Sequence, residues 1–125
     1  MKTTLLATPF LLAMALVVYV QGGDSIGFAL WNALPMLAGL GMLLAGRRSR
    51  SRMPWGRTAF ATVATLLMVW FHLSWLFDWG GARTGSSTSA LAFIFMPLWA
   101  FVFGAVAGVL AWGTQRFAGR SGATP

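Results

Sequence analysis

Four long apolar runs separated by short polar stretches organise this chain, at about 3–20, 27–46, 58–79 and 89–112. Each approaches or exceeds the roughly 20 residues that a helix needs to cross about 30 Å of hydrocarbon. No period-2 alternation competes. In lipid every backbone polar group must be satisfied within its own segment, so the runs predict helices rather than strands. The expected fold is therefore all-α: a polytopic integral membrane protein built as a four-transmembrane-helix bundle. The whole chain, 1–125, reads as a single membrane domain ending in a short basic tail at 113–125.

Composition agrees with that pattern. Charged residues make up 9% of the chain, against about 25% in an ordinary soluble domain, and the mean hydropathy is +0.73. A soluble protein this small lacks the volume to hide so much apolar surface. The net charge of +7 sits in segments flanking the apolar runs, which points to topology and lipid headgroups and away from nucleic acid. The absence of cysteine excludes disulfides, thiolate metal sites and lipid attachment through cysteine.

Charge also predicts the threading. Arg47, Arg48, Arg50, Arg52 and Arg57 crowd into the middle connection, Arg116 and Arg120 follow the fourth run, and Lys2 precedes the first. The other two connections hold Asp24 and, at Gly80–Thr88, Arg83 alone. With the N-terminus, middle loop and tail in the cytoplasm, eight basic residues lie inside and one outside, as the positive-inside rule requires. The expected location is a bacterial cytoplasmic (inner) membrane, since arginine outnumbers lysine eight to one and alanine and glycine abound. Lys2 and the Ala13-x-Ala15 pattern resemble a secretory signal, but the apolar run continues through Leu16–Val20, so an uncleaved first helix is expected.

Few side chains offer chemistry. On a helical wheel Thr58, Thr62, Thr65 and His72 fall within an arc of about 80°, with Trp75 and Trp79 continuing that face. Ser74 and Asp78 lie on another. His72, Asp78, Ser74 and Asn32 form the candidate polar intramembrane site, because an ionisable group in lipid is costly unless paired or hydrated. For His72 the alternatives are a proton-sensing or solute-binding imidazole and a neutral ring bonded to a neighbouring helix. For Asp78 they are a pairing with Arg83 or the amides opening the fourth helix, and a transport carboxylate. Asn32, one turn before Pro35, is placed to bond a carbonyl that the proline frees. Pro35 and Pro97 are expected to kink their helices. Ser86, Ser87, Thr88 and Ser89 read as caps for the fourth helix.

Ala100, Gly104 and Gly108 recur every fourth residue, and Ala38, Gly41 and Ala45 make a similar stripe on the second helix. Such stripes let helices approach closely, within one bundle or between copies. The arginine loop adds anionic lipid headgroups as a candidate partner. In size and helix number the chain is similar to the small multidrug resistance transporters and the dimeric fluoride channels. It has no glutamate for the first and no matching asparagine-plus-phenylalanine pattern for the second. With no paired base and nucleophile, no cofactor motif and no metal cluster, the leading expectation is a non-enzymatic accessory or interaction subunit. Its partner would be another membrane protein or a second copy. The alternative is an oligomeric small-solute or ion transporter or channel with His72 and Asp78 near the path.

Overall fold

A computed structural model describes residues 3–21, 25–48 and 54–121. Four helices follow one another: α1 (Thr3–Gln21), α2 (Ile26–Arg48), α3 (Pro54–Leu76) and α4 (Ala92–Ser121). Two 3₁₀ turns, Trp79–Gly81 and Ser89–Leu91, lie between α3 and α4. Among the described residues there is no strand. Spans within α2, α3 and α4 are long and apolar enough to cross a membrane; Leu6–Gln21 of α1 is apolar but shorter. The chain is thus a helical bundle of membrane-spanning character.

The packing is a diamond. α2 and α3 form the short diagonal, each touching α1 on one side and α4 on the other, and the α3–α4 interface is the most extensive. The core runs along that diagonal through Phe10, Ala13 and Val17 of α1, Ala33 and Met36 of α2, Phe60, Ala61, Ala64 and Met68 of α3, and Ala100 of α4. Large apolar side chains such as Leu30, Leu66, Trp99, Val106 and Leu110 stay on the outside. Lipid is as apolar as leucine and so supplies no drive to bury them.

Close approach of small residues brings the helices together. A Cβ on Gly39 would stand 2.9 Å from Ala61 Cα, so α2 and α3 cross there almost backbone to backbone. Gly104 packs on Phe60 and Ala64, and Gly108 on Gly56 and Phe60, while Ala100 is fully buried. The glycine stripe of α4 therefore seats α4 on α3 within the same chain. On α2 the expected stripe is only partly correct: Ala38 packs against the core, but Gly41 has nothing within 4 Å and Ala45 is exposed.

Helix ends depart from expectation for local reasons. α3 begins at Pro54, where the missing N–H costs nothing, so Arg57 belongs to its first turn and not to a loop. α2 extends through Arg47 to Arg48, basic residues that suit the negative end of the helix dipole. Arg50 and Arg52 lie outside the described residues. α3 stops at Leu76 rather than at 79, because Asp78 (φ 52°), Gly80 (φ 63°) and Gly81 (φ 75°) turn left-handed. The expected tail is mostly helix, since α4 continues to Ser121. At 30 residues and about 1.5 Å each, α4 is longer than the roughly 30 Å of hydrocarbon. Both α2 and α4 continue through their prolines, and Pro35 and Pro97 are fully buried.

Candidate functional site

His72 occupies the border between two faces of α3. The packed face holds Gly56, Phe60, Ala61, Ala64, Met68 and Phe71, with His72 buried at its edge. Of the threonines expected to share a face with His72, Thr58 and Thr62 are exposed, while Thr65 is half-buried with its Oγ1 unpaired. Thr58 bonds back to Pro54 O at 2.8 Å. The hydroxyls of Thr58 and Thr62 lost the packed face to small residues because helices in lipid associate by close contact, and Thr58 satisfies itself on its own backbone.

His72 itself is buried at 0% exposure, one turn from the end of α3. Its Nδ1 lies 2.8 Å from Met68 O on the same helix. A carbonyl only accepts, so Nδ1 carries the hydrogen, and in the neutral ring Nε2 presents a bare lone pair. That Nε2 is buried without a partner. The expected bond to a neighbouring helix is replaced by one to the preceding turn. Around the ring stand Phe71 and Phe93, at centroid distances of 5.3 and 5.6 Å and both edge-on.

Phe93 organises this end of the bundle and carries no polar signal that marked it in the sequence. From the first turn of α4 it packs edge-on against Trp75 at 4.6 Å and Phe71 at 4.9 Å, and tilted against Phe28 of α2 at 6.3 Å. Trp31 fastens α2 to the same turn, its indole N–H donating to Ile94 O at 3.1 Å.

Asn32 is likewise fully buried. Its amide donates to Phe28 O at 3.0 Å, which is not the Trp31 carbonyl that Pro35 would free, and its Oδ1 is buried without a partner. Asn32 lies one turn from Phe28 and His72 one turn from Trp75. Both rings line a cavity of about 290 Å³ together with Val20, Gln21, Ser25 and Phe93. Both atoms of the Gln21 side-chain amide are also buried and unpaired. All four helices contribute to this wall, with two unpaired acceptors one turn deeper.

Asp78 lies apart from that cluster, beyond the end of α3. Its carboxylate accepts hydrogen bonds from Thr84 Oγ1 at 2.6 Å, Arg83 N at 2.8 Å and Thr84 N at 3.2 Å. The Thr84 hydroxyl and the Arg83 N–H hold its pKa below the usual carboxylate value. Neither expected pairing is made through the Arg83 side chain or the start of α4; the carboxylate closes its own turn. Ser74 is half-buried. The expected caps are absent as well. Thr88 N donates to Ser86 Oγ at 3.2 Å and Ser89 Oγ to Ser86 O at 2.8 Å, while Thr88 caps no helix with its side chain. These hydroxyls shape the loop.

Compared with known proteins, the chain matches no family model, no curated protein and no solved structure at a significant level.

Proposed function

We propose that this chain is a non-catalytic subunit of the bacterial cytoplasmic membrane, threaded with both termini in the cytoplasm, that serves a larger membrane assembly. One observation carries the reading: the ionisable groups of the candidate site are engaged locally. His72 bonds its own helix and is sealed by aromatic rings, and Asp78 has three donors within its own turn. Basic residues clustered at one end support the orientation, and the arginine-rich, alanine- and glycine-rich composition supports the source.

The test is purification of the intact protein from native membranes in mild detergent or nanodiscs, followed by mass analysis of the whole assembly. A stoichiometric second subunit is the expected result. A homo-oligomer with no other component would overturn it in favour of transport. The unpaired acceptors of His72 and Asn32 beneath the four-helix cavity favour that second reading. In that case His72→Phe, which keeps the packing around the ring, abolishes flux while leaving expression unchanged.

A further inference from the structure

Arg57 Nη1 is buried without a hydrogen-bond partner. A guanidinium nitrogen taken out of water with nothing to bond is costly, and an anion is the group that relieves it. The side chain leans on Gly46, where a Cβ would run into Nη1 and lie 3.3 Å from Cδ. Here Leu43, Gly46 and Arg47 of α2 face Pro54, Arg57 and Thr58 of α3 across a cavity of about 200 Å³. At about 30 Å³ per water, that space takes a phosphate and some of its hydration.

Arg57 also lines a second cavity, of about 440 Å³, with Met42, Gly56, Phe60, Ala105, Gly108, Val109 and Trp112. Its walls are almost wholly apolar, and Met42 and Val109 open to the outside. One arginine therefore joins a cationic chamber to an apolar groove. The two arginines lie at the end of the spans, where headgroups meet hydrocarbon.

We infer that this end of the bundle binds one anionic phospholipid, its phosphate on Arg57 with Arg47 alongside and an acyl chain along the groove. The inference rests on the membrane reading above. Gly46 is then a seat for the guanidinium, and Arg57 a ligand for the headgroup rather than a topology signal alone.

The experiment is native mass spectrometry of the full chain from nanodiscs of phosphatidylcholine with a minor share of phosphatidylglycerol. Wild type, Arg57→Gln, Gly46→Ala and Arg116→Gln are compared. Arg116 lies at the same end, where neighbouring Gln115 meets Trp55 N, but its guanidinium sits over the Trp112 ring at 5.1 Å. It serves as the charge-matched control. Gly46→Ala keeps every charge and displaces only the guanidinium.

One phosphatidylglycerol retained by wild type and Arg116→Gln, and weakened about tenfold or more by Arg57→Gln and Gly46→Ala, is expected. Equal loss in Arg57→Gln and Arg116→Gln with none in Gly46→Ala would mean diffuse attraction and overturn the site. A competing arm adds inorganic phosphate: displacement of the lipid at millimolar phosphate would overturn the lipid assignment in favour of a soluble anion. Failure of the chain to enter nanodiscs at all would instead refute the membrane reading.

Discussion

Gly56 and Gly108 meet backbone against backbone: a Cβ on Gly56 would stand 2.9 Å from Gly108 O, and one on Gly108 would stand 3.0 Å from Gly56 O. A carbonyl cannot rotate aside as a side chain can, so either alanine forces α3 and α4 apart. Gly108→Ala is expected to destabilise the bundle by about 1–3 kcal/mol, the usual cost of overpacking. Gly113, later on α4, has nothing within 4 Å. Gly113→Ala is expected to stabilise by up to about 1 kcal/mol through helix propensity. Thermal unfolding in detergent reads both. A Gly108→Ala variant that changed oligomeric mass but not stability would show that the stripe faces another copy instead.

His72 separates a structural role from a chemical one. Removing a buried acceptor that has no donor costs little when an apolar ring of similar shape replaces it. Surrounded by Phe71 and Phe93, His72→Phe is expected to fold with stability within about 1 kcal/mol of wild type. His72→Ala leaves a void and is expected to lose about 2–5 kcal/mol. Melting of both variants in the same nanodiscs checks the order. Large destabilisation by phenylalanine would show that Nε2 has a donor in the membrane, water or solute.

Asp78 predicts an acid-sensitive turn. Its folded pKa is depressed, chiefly by the Thr84 hydroxyl and then by the Arg83 N–H. The stabilisation is therefore fully present above the unfolded carboxylate value, near 4, and is lost as pH falls through the lower folded value. The protection of the Arg83 and Thr84 amides, measured against their intrinsic exchange rates, should hold at neutral pH and be lost only in that acidic range. Asp78→Ala should remove that protection at every pH. A change centred near neutrality would disprove the assignment.

Element number and order were readable because lipid imposes a minimum apolar length on each span. Rotation about each helix axis was not. Gly39 and Gly41 are two residues apart, yet one touches Ala61 and the other faces open space. On a soluble helix the polar face would reveal which points inward; here both faces are apolar, and packing alone decides. The same blindness placed Thr58 and Thr62 beside His72. Helix ends were misread where single residues set them: Pro54 opening α3, and Asp78 in a left-handed conformation closing it. His72, Asp78 and Asn32 stood out by polarity in an apolar field. Phe93, which packs on the rings of Phe28, Phe71, His72 and Trp75, did not, because its role comes from a helix distant in sequence.

Threading yields the last prediction. α2 and α3 are long and apolar enough to span; α2 ends at Arg48 and α3 begins at Pro54 at one end of the bundle, and the turn bearing Ser87 follows α3 at the other. The arginine end should be cytoplasmic because moving clustered arginines across the membrane opposes the charge bias that orients helices. Reporter fusions at Arg50 and Ser87 should therefore report cytoplasm and exterior, respectively. Both fusions on one side would contradict the spanning of α3. Arg50 on the exterior would reverse the orientation and place the Arg57 headgroup site in the opposite leaflet, where anionic lipid would have to be supplied for it to fill.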